Sequence, residues 1–195
     1  MNDHKGFFAM MARMKYIERW ALMRNSVSEN ICEHSLEVAM LAHGLGIIGR
    51  KRFGKDLSPE RLAMLGMYHD CTEIITGDMP TPVKYANDEL KEAYKAIEDS
   101  AAHRLLEMLP EDLRAEYESY FLPEQITPEE YRYVKAADKL SALIKCIEEE
   151  KTGNQEFRSA KQATYESLQQ MNMPEVTVFC EAFLPEYYKT LDELE

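Results

Sequence analysis

The stretch Thr127-Pro128-Glu129-Glu130 constrains this chain more than any other. Threonine ahead of proline, with glutamate three positions on, combines an N-cap, a first helical residue with no N–H to lose, and the reciprocal acceptor of a capping box. Behind it Val134, Ala137, Leu140, Ile144 and Ile147 recur at helical spacing, so the segment carries an apolar face that other elements must cover. The same punctuation returns at Asn30 with Glu33 and at Ser58-Pro59-Glu60. Phe7, Met11 and Met14 repeat the rhythm, and no stretch alternates as a half-buried strand does. These signals predict helices at about 3–23, 31–52, 59–76, 88–109, 111–121, 128–152, 155–171 and 174–188. The expected fold is an all-α helical bundle.

Eight glycines, eight prolines, no low-complexity segment and no repeat of useful period make one domain over residues 1–195 the economical organisation. Connectors are expected at Gly54 to Leu57, Gly77 to Tyr85 and Pro123 to Ile126. Twenty-three basic side chains against 35 acidic ones leave a formal charge of −12. A field of that sign repels nucleic-acid polymers and anionic membranes, yet a few local cations or a bound metal still admit one small anion. Apolar runs such as Phe7 to Ala12 stop well short of the ~18 residues that suggest a membrane span, and Met1 to Gly6 has no secretory character. Cys32, Cys71, Cys146 and Cys180 include no Cys-x-x-Cys pair. A cytoplasmic protein with reduced, mostly buried cysteines is the expectation.

A His-Asp dipeptide arises by chance in such a composition with a probability of roughly one in four, so His69-Asp70 gains weight only from its surroundings. It ends the apolar run Leu62 to Tyr68, and Glu73 follows three and four positions later, close enough on helical backbone to share a face. His34 falls in the first turn of its predicted helix. Asp138 lies mid-helix with mainly apolar neighbours, which points its carboxylate at the core, where it needs an ion pair, a backbone amide or a metal. Taken together, His34, His69, Asp70 and Asp138 form a mixed nitrogen and oxygen donor set suited to Mn, Co, Fe or Zn, with open positions for water and substrate. Glu73 shares a face with this set, and the guanidinium of Arg19 is a planar bidentate donor that lysine cannot reproduce. Lys84 is a further cation of lesser weight.

The order H…HD…D, with a spacing of 35 positions from His34 to His69 and 68 from Asp70 to Asp138, resembles the HD-domain metal phosphohydrolases. The segments Glu18-Arg19-Trp20, Leu22-Met23-Arg24-Asn25, Glu29-Asn30, Glu33-His34-Ser35-Leu36, Met67-Tyr68-His69-Asp70, Glu73, Thr76 to Tyr85 and Lys145 to Glu149 are similar to the bacterial YfbR-type 5′-deoxynucleotidases over nearly the whole chain. The resemblance implies hydrolysis of deoxyribonucleoside 5′-monophosphates with a divalent cation. His34, His69, Asp70 and Asp138 would hold the metal and Glu73 would be the catalytic acid/base. Arg19 and Trp20 would contact or orient the phosphate, Asp70 would also face the substrate, and Asp78, Met79, Pro80 and Thr81 would bind it, with Asp78 near the sugar. A homodimer is also implied. Phe179, Phe183, Tyr187, Tyr188 and Leu191 suit a core or an interface equally. Two alternatives use the same residues: a phosphohydrolase acting on another nucleotide, and a catalytically silent helical binding module stabilised by its metal.

Overall fold

The computed structural model describes residues 5–84 and 86–194. The start of the first predicted helix, at residue 3, and Tyr85, at the end of the second predicted connector, lie outside the described residues. Phe7, Met11 and Met14 keep helical register only briefly: helix α1 spans Phe7–Met11 and tightens into a 3-10 turn over Ala12–Tyr16. The predicted helix over 3–23 therefore ends early. Beyond Met14 the backbone exchanges local bonds for distant ones, with Ile31 N–H donating to the Ile17 carbonyl and Arg19 N–H to the Glu29 carbonyl, both at 2.9 Å. Residues 17–30 fold back on themselves as an irregular strap closed by the Glu18–Asn30 bridge.

The capping signals are realised. Helix α2, Ile31–Phe53, starts at the Asn30–Glu33 capping box and stops at Gly54, whose φ of 64° suits a residue without a Cβ. Ser58 caps α3, Pro59–Tyr68, with Pro59 in the first turn. Here the prediction of one helix to residue 76 fails, because His69 to Thr72 form a tightened turn with three-residue bonds such as Glu73 N–H to the Asp70 carbonyl at 3.0 Å. Helix α4 is the single turn Glu73–Thr76, and α5, Thr81–Lys84, turns helically inside the predicted connector Gly77 to Tyr85. Pro82 sits in the first turn of α5, where a missing N–H costs nothing. The remaining helices are α6 (Asp88–Leu106), α7 (Glu111–Phe121), α8 (Pro128–Lys151, with its Thr127–Glu130 box), α9 (Arg158–Gln170) and α10 (Pro174–Ala182). Pro185 ends the last early: Leu184–Tyr188 is a 3-10 turn in place of helix to residue 188.

The main core lies where α2, α3 and α8 meet: Val38, Leu41, Leu45, Leu62, Leu65, Leu140, Ile144 and Ile147 interdigitate there. Helices α2 and α3 approach so closely that a Cβ on Gly66 would lie 3.0 Å from the Ala39 Cα. A second cluster of Phe7, Ile31, Cys71, Leu105, Leu109 and Phe121 fastens α1 to α6, α7 and the His69–Thr72 turn. Among the described residues, helix α2 alone is long and apolar enough, by composition, to cross a membrane, but 56% of its window is buried as the central helix of this bundle. All four cysteines are free thiols, with Cys71 and Cys146 buried and Cys32 exposed.

Candidate active site

Two imidazoles define the centre. His34, fully buried on α2, has its Nδ1 2.9 Å from the Ser141 hydroxyl of α8, which donates to Glu37 Oε2 at 2.5 Å. The Ser141 oxygen is thus left to accept from Nδ1–H, and the Nε2 lone pair of His34 is bare. His69 donates from Nδ1 to the Gly66 carbonyl at 2.7 Å, which leaves its Nε2 bare as well. Both Nε2 atoms are buried without a hydrogen-bond partner. An unsatisfied buried polar atom is costly, and two aimed at one point are what a cation would satisfy.

Carboxylates complete the set. The tightened turn after α3 swings Asp70 beside His69, so that Oδ2 lies 3.0 Å from His69 Nε2 and 3.4 Å from His34 Nε2. Ligand atoms of His34, His69 and Asp70 all fall within 4.8 Å of one another, a separation that one metal ion can span. Asp138, on α8, brings Oδ1 to 3.4 Å from His34 Nε2 and gives Oδ2 to Lys135 at 2.5 Å. The mid-helix carboxylate therefore meets an ion pair on one oxygen and keeps the other for the cluster. Burial pushes Asp70 up, yet the flanking His69 and His34 hold it well below the usual carboxylate range. Burial lowers His34, and the opposing carboxylates of Asp138 and Asp70 raise it to about 9. The pocket thus favours positive charge between its carboxylates.

Glu73 opens α4 beside this cluster, buried, with Oε2 unpartnered. Burial, reinforced by Asp70 and Asp78, pushes it up to about 10. Arg19 reaches in from the strap, its Nη1 3.5 Å from Asp70 Oδ2. Burial would lower the guanidinium, but Glu29, Asp70, Asp138 and Asp78 together hold it raised. Trp20 sits at φ 60°, a left-handed conformation uncommon for a bulky residue, with its ring edge-on to Phe157 at 5.2 Å. Burial raises the carboxyl of Asp78, and the Arg19 charge and the Trp20 backbone N–H offset only part of that rise, so Asp78 belongs to the same pocket. Met79 and Pro80 follow it half-buried and Thr81 is exposed; no hydrogen bond or ion pair ties these three side chains to the cluster. Lys84 is held by Glu98 at 2.7 Å and stacks over Tyr94.

Sequence reasoning missed Ser141, Glu37 and Lys135, the residues that orient the donors. The signal was helical spacing: Ser141 stands three after Asp138, Lys135 three before it, and Glu37 three after His34.

A helical bundle that gathers His34, His69 and Asp70 around one point, with Asp138 outside that trio but 3.4 Å from His34 Nε2, has the architecture of the HD-domain phosphohydrolases. A solved HD-domain phosphohydrolase from Listeria innocua superposes with a TM-score of 0.80 at 23% identity, covering 93% of this chain and 87% of that one. A cyanophage S-2L HD phosphohydrolase, DatZ, solved bound to dA and one catalytic Zn2+ ion, superposes with a TM-score of 0.65 at 23% identity, covering 93% and 96%. Residues 6–187 match the family model of the YfbR-like 5′-deoxynucleotidases, and the chain belongs to that family. A 5′-deoxynucleotidase of Vibrio cholerae is 48% identical over 96% of this chain and 97% of its own length. The 5′-deoxynucleotidase YfbR of Shigella boydii is 45% identical over 96% and 94%.

Proposed function

We propose that this chain is a metal-dependent 5′-deoxynucleotidase, hydrolysing deoxyribonucleoside 5′-monophosphates to deoxynucleoside and phosphate. The observation that carries the reading is the pair of buried, unpartnered imidazole nitrogens converging with Asp70 beside Arg19. His34, His69, Asp70 and Asp138 would hold a divalent cation such as Co, Mn, Fe or Zn, which would neutralise phosphate charge and acidify a water. Everything else falls to the chain's own residues. Arg19 binds the phosphate as a fork and fixes it for in-line attack, so that the entropy of alignment is met on binding. Water adds to phosphorus, the bond to the 5′ oxygen breaks, and that oxygen needs a proton. Glu73 manages that proton: its buried carboxyl holds one at neutral pH in the metal-free protein, can give it to the leaving oxygen and regain one from the attacking water. Trp20 and Asp78 line the approach, with Asp78 toward the sugar and Met79, Pro80 and Thr81 forming the outer part of the substrate loop.

The protein works as one domain spanning 1–195, in the cytoplasm and as a homodimer, on a single nucleotide and not on a nucleic-acid polymer or a membrane. The test is metal-stripped protein assayed against paired ribo- and deoxyribonucleoside monophosphates, each divalent ion being added back singly. Deoxyribonucleotides should be turned over in preference, and only with metal. Equal turnover of AMP and dAMP, a preference for triphosphates, or full activity without metal would each defeat the assignment. Light scattering should give twice the 22.6 kDa chain mass.

A further inference from the structure

Glu29 has no part in the scheme above, yet it is the residue on which both strap contacts converge. It stands ten positions after Arg19, at the returning end of the strap, with its side chain 13% exposed. Its Oε2 accepts from Arg19 Nε at 3.0 Å and from Trp20 Nε1 at 2.8 Å. Adjacent residues on extended backbone point to opposite faces. Arg19 and Trp20 nevertheless present their side chains to one oxygen, because the chain turns left-handed at Trp20. Such a conformation is costly at a bulky residue and persists only where surrounding contacts over-determine it. Two of those contacts are local, the Met23 N–H donating to the Trp20 carbonyl at 2.8 Å and Asn25 Nδ2 to the same carbonyl at 3.4 Å, and a distant one is Phe157, which abuts the indole. The indole N–H bond to Glu29 is the one that also fixes the arginine.

Charge placement adds a second argument. The Arg19 guanidinium lies among Asp70, Asp78 and Asp138, all on the metal side of the pocket. Without a counter-charge behind it, the cation would settle against Asp70, compete for an oxygen proposed as a metal ligand, and be spent before a phosphate arrived. Glu29 takes the Nε edge and leaves Nη1 at 3.5 Å from Asp70, beyond a close charge-assisted bond.

We propose that Glu29 is a positioning residue for phosphate recognition, one carboxylate oxygen holding Arg19 back from Asp70 while locking the Trp20 ring in the orientation that faces the substrate. The inference rests on the reading of Arg19 and Trp20 as substrate contacts. Trp20 is the only tryptophan, so intrinsic fluorescence reports this contact without any assay of turnover.

The experiment compares wild-type protein with Glu29→Gln, which keeps an acceptor and loses the charge, and Glu29→Asp, which keeps the charge and withdraws it by one methylene. Arg19→Ala and Trp20→Ala serve as references. Emission and quencher access of Trp20, divalent-ion affinity, and kcat and KM for dAMP are measured on each. Both Glu29 variants should show altered Trp20 emission and lose about tenfold or more in kcat/KM, mostly through KM, and Glu29→Gln, which releases the guanidinium toward Asp70, should also bind metal more weakly than Glu29→Asp. Arg19→Ala should show the same KM loss. If Glu29→Gln and Glu29→Asp retain kcat/KM within about twofold while Arg19→Ala and Trp20→Ala are impaired, Glu29 positions nothing and the proposal fails alone. A lowered melting temperature with intact kcat/KM also overturns it, as the mark of a purely structural contact. If Arg19→Ala and Trp20→Ala turn over dAMP normally, the substrate reading fails and this inference with it.

Discussion

Ser141 carries as much information about the site as either histidine. Its hydroxyl sits between His34 Nδ1 and Glu37 Oε2, and so selects the His34 tautomer whose Nε2 can bind a cation. Ser141→Ala should weaken divalent-ion affinity by roughly 10–100-fold, read by chelator competition, while the metal-free melting temperature barely moves. Glu149 shows the complementary case of a buried carboxylate serving the fold. It accepts from the Ser26 and Val27 backbone, from Asn154 and from Lys145, tying the strap to α8. Burial pushes it up, but Lys145 and these N–H donors outweigh that and lower it from 4.5 to about 2. A carboxylate depressed in the folded state contributes stability that is complete above its unfolded value and lost as the pH falls through the folded one. Unfolding free energy should accordingly drop by at most on the order of 3 kcal/mol between about pH 4.5 and 2 from this group. Denaturant titrations across that window should show the loss in wild-type protein and its absence in Glu149→Gln. His34, His69, Asp70 and Asp138 could be picked out in the sequence because their residue types are unusual in their contexts. Glu29, Ser141 and Glu149 could not, since Ser and Glu on a helix or loop are ordinary until a partner is known.

At the scale of elements, the position of α3 against α2 sets the distance between His34 and His69, whose ring centroids are 5.1 Å apart. Gly66 permits that approach and its carbonyl also orients His69. Gly66→Ala would drive a methyl into the α2 backbone. It should cost roughly 1–3 kcal/mol in denaturant unfolding and weaken metal binding in proportion to the displaced imidazole. Helix starts at Asn30, Ser58 and Thr127 were legible because a cap, a proline and a glutamate act within four residues of one another. The end of the first predicted helix was not. Apolar spacing gave no stop after Met14, whereas the bonds that fold the strap back, Arg19 to Glu29 and Ile31 to Ile17, join residues 10 and more positions apart. The break at His69 escaped for a related reason: helical periodicity is satisfied on both sides of it, and the tightened turn is held by what Cys71 packs against, namely the cluster around Phe7 and Leu105.

For the molecule as a whole, the proposed ligands arise from α2, the turn behind α3, and α8, so one ion would cross-link the elements that make up the main core. Bound metal should therefore raise the melting temperature of the entire fold. A free concentration 100 times the dissociation constant is worth about 2.7 kcal/mol, visible as an upward shift in calorimetry that a chelator reverses and that His69→Ala abolishes. The charge of −12 is unevenly spent: Asp70, Glu73, Asp78 and Asp138 are gathered in one pocket with Arg19 as their neighbour. A long polyanion meets the rest of that charge; a single phosphate meets the pocket.

By itself the sequence determined the all-α class, where the major helices begin, and which histidines and aspartates were candidates for a shared metal site, because caps, periodicity and residue chemistry act over a few neighbouring positions. Tertiary structure decided the rest: that the strap folds back, that His69 and Asp70 share a tightened turn, and that Glu29 grips two side chains at once. It also decided which nitrogen of His34 is free, through a serine 107 residues away. Hydrogen bonds between distant residues depend on how helices pack, and packing is a property of many side chains acting together, which no local stretch of sequence contains.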